Sequence, residues 1–250
     1  MIPLRTSAEI DAIRAAGKVL GQLFQAIVPE VKPGTTTAKL DAFGEAFIRS
    51  HEGAEPSFKG LYGFPASLCT SINEEVVHGI PSPRRLLREG DILSIDAGVR
   101  LDGWCADCAI TVPVGDTQAE VKALLEVTER ALQAGIRNAV PGNRIGDIGS
   151  AVQGVAEAGG FSVVRELVGH GVGREPHEEP QVPNFGRPGS GLRLMPGLVL
   201  AIEPMVNTGG PAIRTLGDRW TVVTADGKRS AHFEHTVAVT KNGPRVLTMA

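Results

Sequence analysis

The chain has 250 residues, 42% of them apolar, enough to bury a substantial core, and the economical organisation is one domain over residues 1–250. Its formal charge of -3 and pI near 6.1 give no broad basic footprint for phosphate contacts, which argues against DNA as a partner and limits any RNA contact to local patches. The opening segment MIPLRTSAEIDAIRAAG is not built like a secretory leader, no window approaches about 18 consecutive apolar residues, and three cysteines suit a reducing compartment. These features predict a soluble cytoplasmic protein without membrane contact.

The first helix is announced by TSAE, a capping box of Thr6 and Glu9, followed by Ile10, Ile13, Leu20 and Ile27, with its end near Pro29. After KPG, a second helix places Leu40, Phe43, Phe47 and Ile48 on one stripe until HEGA breaks it. A strand-rich region follows. Residues 117–139 again read as a long helix, and VPGNRIGDIGSAVQGVAEAGG as a Pro-Gly turn and a shorter one. Shifting the sequence by 108 lays Pro33-Gly34 on Pro141-Gly142, Leu40 on Ile148 and Phe47 on Val155. Shifting it by 107 lays EGDILSID on PGLVLAIE and Asp96 on Glu203. Two similar halves, about 1–115 and 116–250, related by a pseudo-twofold axis, explain the recurrence; chance likeness of glycine-rich helical segments is the alternative.

DILSIDAGVRLDGWCADCAITV has the pattern of a β-hairpin around an Asp-Gly turn. With a two-residue loop centred on either Leu101-Asp102 or Asp102-Gly103, Asp96 and Asp107 share a face, opposite or diagonal. Two carboxylates inside apolar runs repel, so a cation between them is the natural compensation; a shared proton or a solvent-facing pair would also serve. Cys105 and Cys108 form a C-x-x-C, but an odd separation on a strand sends them to opposite faces and makes a poor zinc or redox pair. Glu203 closes the apolar run GLVLAIE, Glu234 lies in the strand-like AHFEHTVAV, and His170 lies between glycines in LVGHGVG, as either a ligand or a satisfied turn residue. Together Asp96, Asp107, His170, Glu203 and Glu234 form an oxygen-rich set suited to manganese, iron(II) or cobalt(II), and to zinc less exclusively. Four negative charges balance two divalent cations and leave room for a bridging hydroxide. His78 in NEEVVHGIP and His177 in GREPHEEP are candidates for hydrogen bonding to substrate, or idle loop histidines; His51, His232 and His235 receive no role.

CTSINEEVVHGIP, DILSIDAG, GWCADCAIT, GHGVGREPHEEP, LAIEPM and AHFEHTVAVT occur in an order and spacing that resemble the type I methionine aminopeptidases, over nearly the whole chain. The resemblance implies the α/β pita-bread fold: two pseudo-symmetric halves and a curved antiparallel sheet covered by helices. It implies removal of the initiator methionine from nascent polypeptides, with a small second residue preferred and two divalent ions (Co, Mn, Fe(II) or Zn) as cofactors. It further implies that Asp96, Asp107 and Glu234 bind one ion and Asp107, His170, Glu203 and Glu234 the other. Glu203 would accept the proton of the attacking water, His78 would contact the scissile amide, and His177 would hold its carbonyl oxygen. The methionine pocket would be Leu61, Phe64, Cys69, Pro176 and Trp220. Aromatic residues are usual in the family at the positions of Leu61 and Pro176, so a laxer pocket is expected here. No amino-terminal docking extension and no type II insertion are expected. Any ribosome contact would be weak and local, through Arg84, Arg85 and Arg88, and a monomer is expected. Competing readings are a proline-directed peptidase of the same fold, a metal-free binding protein and an RNA module; the last is opposed by an aromatic content of 4%.

Overall fold

Thr6 starts the first helix, α1 (Ser7–Ile27): its hydroxyl accepts from the Glu9 N–H at 3.3 Å, and the Glu9 carboxylate accepts from the Thr6 N–H at 2.8 Å. The structure is a computed structural model and describes residues 2–250. Ile10, Ile13, Leu20 and Ile27 are buried along one face of α1. In α2 (Thr37–Arg49) Leu40 and Ile48 are buried, while Phe43 and Phe47 pack at the edge of the core with stacked rings 6.4 Å apart. The second pair, α3 (Ala119–Asn138) and α4 (Ile145–Ala158), follows the expected order, and Gly135 lets the helices approach: a Cβ there would lie 2.8 Å from the Val152 side chain.

Among the described residues there are also fifteen strands: β1 (Ala54–Pro56), β2 (Leu68–Ile72), β3 (Glu75–Val77), β4 (Ile92–Leu101), β5 (Trp104–Pro113), β6 (Ser162–Val163), β7 (Gly169–Gly171), β8 (Glu178–Val182), β9 (Val199–Ile202), β10 (Met205–Asn207), β11 (Ile213–Thr215), β12 (Val222–Thr224), β13 (Ser230–His232), β14 (Glu234–Thr240) and β15 (Gly243–Val246). The main antiparallel sheet runs β1-β4-β5-β14-β9-β7-β8, with β2 also on β4 and β15 on β14; β13-β10-β6 and β11-β12-β3 form two small sheets. Helices α1 and α2 share a core with β4 and β5, whereas α3 and α4 pack with residues of β9, β10, β13 and β14. Each helix pair therefore covers its own half of the sheet, the arrangement of a pita-bread fold. Among the described residues, no helix is long and apolar enough to cross a membrane.

The β4–β5 turn is Asp102-Gly103, both with positive φ (50° and 75°), and Leu101 pairs with Trp104. Asp96 consequently faces Ala109 and Asp107 faces Gly98, which makes the two carboxylates diagonal neighbours on one face. AHFEHTVAV departs from the expected single strand. It breaks at Phe233, whose N–H donates to the Pro204 carbonyl at 3.4 Å, so that β13 pairs with β10 and β14 with β9. The register nevertheless runs through the break: Met205 faces His232 and Ile202 faces His235.

Candidate metal centre and substrate cleft

The five expected ligands converge. One oxygen each from Asp96, Asp107 and Glu234 lie within 4.8 Å of one another; so do donor atoms of His170, Glu203 and Glu234, and of Asp107, His170 and His177. The sheet produces this convergence directly, because Asp96, Ala109 and Glu234 are successive cross-strand partners on β4, β5 and β14. Glu203 follows the end of β9, next to Ile202 paired with His235. His170 comes from β7, and its Nε2 lies 3.3 Å from Glu203 Oε1 and 3.9 Å from Asp107 Oδ2. Its Nδ1 sits 3.0 Å from the Gly171 carbonyl, a contact in which Nδ1 donates and which turns Nε2 towards the carboxylates.

All four carboxylates are nearly removed from water. Burial, reinforced by Glu203 nearby, raises Asp96 to about 7. Burial and neighbouring carboxylates raise Asp107 and Glu234 well above the usual range. Burial would raise Glu203 too, but contact with His232 and the proximity of His170 outweigh it and hold this carboxylate below its ordinary value. Asp96 Oδ1, Asp107 Oδ1 and Glu234 Oε1 have no hydrogen-bond partner among the described residues, and none of those lining the cavity is Lys or Arg. Unpaired buried carboxylate oxygens are costly without a cation, and a carboxylate-rich set with one imidazole is the chemistry of manganese, iron or cobalt sites. The residues fit divalent cations.

The cluster forms the floor of a cavity of about 540 Å³, walled by Phe58, Leu61, Phe64, Cys69, Val77, Met205 and Trp220, with His78 and His177 also on its lining. Phe64 and Trp220 meet edge to face at 5.1 Å. His78 adopts a left-handed backbone (φ 60°), and its ring lies edge-on to Trp220 at 6.3 Å. Burial lowers its pKa. His177 stands at the rim, 4.5 Å from the His170 ring, and desolvation together with His170 pushes it down to about 4.

Pro176 is the one expected pocket residue absent from the cavity lining. It is buried in a turn whose N–H groups at Arg174 and Glu175 donate to the Glu178 carboxylate, and this turn presents His177 and Glu178 to the cavity instead. Two residues of the site escaped the sequence reading. Tyr62 is 76% exposed, has a left-handed φ of 51°, and stacks on His177 at 6.1 Å. His232 is buried, lines the cavity and brings Nε2 to 3.4 Å from Glu203 Oε2. Alternation could have found it, since residues 232 and 234 share a face of an extended strand.

Residues 11–241 match metallopeptidase family M24. The chain belongs to this family. M24 membership makes it a metallopeptidase and hence a hydrolase. A curated methionine aminopeptidase of Clostridium perfringens is 55% identical over 249 residues, covering 100% of this chain and 99% of the relative. The crystal structure of methionine aminopeptidase from Rickettsia prowazekii superposes with a TM-score of 0.97 at 43% identity, covering all of both chains. Such full-length likeness places this M24 member among the methionine aminopeptidases. Prolidase from Pyrococcus furiosus shares the fold, with a TM-score of 0.80 at 22% identity over 99% of this chain and 65% of that one.

Proposed function

We propose that the chain removes the N-terminal methionine from nascent proteins and peptides, with a preference for a small second residue, and that two divalent cations (Co, Mn, Fe(II) or Zn) serve the reaction. The observation that carries this reading is the cluster of buried carboxylates, three of them with an unpaired oxygen, in a cavity of about 540 Å³ with apolar walls. Asp96, Asp107 and Glu234 would hold one ion and Asp107, His170, Glu203 and Glu234 the other, an assignment supported by the two overlapping donor groups that share Glu234. When bound, the ions supply the Lewis acidity that acidifies water and polarises an amide carbonyl.

The remaining work falls to the side chains. Glu203, held ionised by its imidazole neighbours, accepts a proton from the attacking water and returns it to the departing amine. His177 and His78 are both kept neutral by desolvation. The N–H of His177 donates to the carbonyl oxygen as negative charge develops there, and His78 contacts the scissile amide. Leu61, Phe64, Cys69 and Trp220 offer the methionine thioether dispersion contacts and removal from water, which are all such a side chain can use. Residues 1–250 would act as one catalytic domain, monomeric and cytoplasmic. Exposed Arg84 and Arg88 would provide the weak ribosome contact, since Arg85 is engaged with Glu75 at 3.0 Å.

The test is methionine release from Met-Ala and Met-Pro peptides, with X-Pro controls lacking methionine, by metal-stripped protein titrated with manganese, cobalt, iron(II) or zinc. Metal-restored cleavage of the methionine peptides alone is expected. Cleavage of only the X-Pro controls would overturn the substrate, and absence of cleavage despite metal binding would overturn the activity.

A further inference from the structure

The two hairpins that build the site are related residue by residue. Thr236 Oγ1 accepts from the Asp107 N–H at 2.9 Å and donates to the Asp107 carbonyl at 2.7 Å. Thr111 Oγ1 does the same to His232, accepting from its N–H at 2.8 Å and donating to its carbonyl at 2.7 Å. Asp107 stands four residues before Thr111 and His232 four before Thr236, so each threonine clamps the other strand's site residue. Between the clamps Ala109 faces Glu234, and a local twofold axis through this pair exchanges Asp107 with His232. The outer strands agree. Asp107 is the diagonal neighbour of Asp96 in a register pairing Asp96 with Ala109, and His232 is the diagonal neighbour of Glu203 in the register pairing Met205 with His232.

His232 is 2% exposed, neither ring nitrogen has a hydrogen-bond partner among the described residues, and Nε2 faces Glu203 Oε2 at 3.4 Å, at the outer edge of hydrogen-bonding distance. A fully buried imidazole whose backbone is fixed at both ends by Thr111 has little freedom except to meet that carboxylate. The Glu203 backbone is anchored from the other side, where its carbonyl accepts from Asn184 Nδ2 at 3.0 Å. Contacts of this length tighten when a site takes up its ligands.

We infer that His232 is a positioning residue: its Nε2–H donates to Glu203 Oε2 and fixes the rotamer in which Glu203 presents Oε1 to the centre. This inference rests on the ligand and base role proposed for Glu203. Groups that orient a metal-binding side chain typically change metal affinity or activity by about 10–100-fold when removed.

The test compares His232→Leu, which keeps bulk without a donor, with His232→Gln, which restores a donor of similar reach, and His232→Asn, whose amide is too short. Binding of Mn²⁺ alone is read by calorimetry, and kcat and KM are read with a Met-Ala peptide. His232→Leu and His232→Asn should weaken Mn²⁺ binding or lower kcat by about 10-fold or more, with KM changed less than about 2-fold, and His232→Gln should recover most of the loss. In a Glu203→Ala background, which has no acceptor for His232, His232→Leu should leave Mn²⁺ affinity unaltered. Parent-like Mn²⁺ affinity and kcat in His232→Leu, an equal loss in the Gln and Asn variants, or an undiminished effect in the Glu203→Ala background would each overturn the inference. If His232→Leu fails to fold, the Gln and Asn pair decides alone. If the parent releases no methionine with any ion, the substrate reading fails while the Mn²⁺ comparison still decides the role of His232.

Discussion

Stripping the metal should make the protein less stable as pH rises above neutrality. Asp96 titrates at about 7 in the fold against 3.8 as a free side chain, and burial with neighbouring carboxylates raises Asp107 and Glu234 well above their ordinary values. Such groups bind a proton in the native state that the unfolded chain has already lost. Their stabilisation is complete below the unfolded value and disappears as pH climbs through the folded one. Histidines 78, 177 and 235 act in the opposite sense, because burial lowers them from 6.5, but their contribution is complete once the unfolded chain is also neutral. The buried cysteines, raised from 9.0, begin to matter only in alkali. Because the unfolded histidines are neutral only about one unit above 6.5, the clean window is about pH 7.5 to 8.5. There Asp96 has already lost most of its contribution, and each of Asp107 and Glu234 loses up to about 1.4 kcal/mol while it stays protonated, a ceiling of about 3 kcal/mol. With a urea slope of about 3 kcal/mol/M, the unfolding midpoint in chelator should fall by up to about 1 M. Saturating Mn²⁺ should reverse the trend, because a cation replaces the protons. A metal-stripped midpoint that is flat or rises across this window would refute the reasoning.

Glu203→Gln cannot accept the water proton, so methionine release at saturating metal should fall by about 10²–10⁴-fold; near-parental turnover would sink the assignment. Without an aromatic residue at Leu61, and with Pro176 off the cavity wall, the pocket should release norleucine or leucine from the amino terminus at a measurable fraction of the methionine rate. Complete rejection of both by an enzyme that cleaves Met-Ala well counts against a lax pocket. Gly79→Ala would place a Cβ 2.3 Å from the Thr70 carbonyl oxygen, where the Gly79 carbonyl also accepts from the Thr70 N–H. This backbone clash should lower the melting temperature by several degrees and raise KM by displacing His78; an unchanged Tm would contradict it. Thr236→Val removes both side-chain bonds to the buried Asp107 backbone and should cost about 1–3 kcal/mol in urea unfolding, with weaker Mn²⁺ binding. Stability within experimental error of the parent would mean that the backbone finds other partners.

Local chemistry made much of this legible. Capping residues and apolar stripes placed the helices, and hairpin parity put Asp96 and Asp107 on one face before the turn was known to be Asp102-Gly103. Long-range information was out of reach. AHFEHTVAV alternates like one strand, yet Phe233 breaks it because its two ends pair with different sheets. The significance of His232 depends on Glu203 and Thr111, residues far away in sequence. Tyr62 gave no signal because its left-handed conformation and stacking on His177 belong to an irregular loop. Pro176 fits the spacing of the pocket but not its wall, since Glu178 closes the intervening turn through two N–H groups.

The twofold relation also explains why one site can hold acids with opposite tendencies. Asp96 and Glu203 end equivalent apolar runs, and each has a diagonal neighbour on the adjoining strand. For Asp96 that neighbour is another carboxylate, which brings no positive charge; burial, with Glu203 nearby, drives Asp96 up to about 7, so that a cation is the partner it lacks. For Glu203 the neighbour is an imidazole, with His170 on its other side, and the carboxylate is held low despite burial. Environments that separate the pKa values of paired acids separate their roles. The symmetry is broken once more at the axis, where the partner of Glu234 is Ala109. A second carboxylate there would add like charge at the most crowded point, whereas a lone Glu234 contributes to the donor groups on both sides. A repeated hairpin thus yields an acidic half that calls for cations and a histidine-rich half that keeps Glu203 ionised, with one shared carboxylate between them.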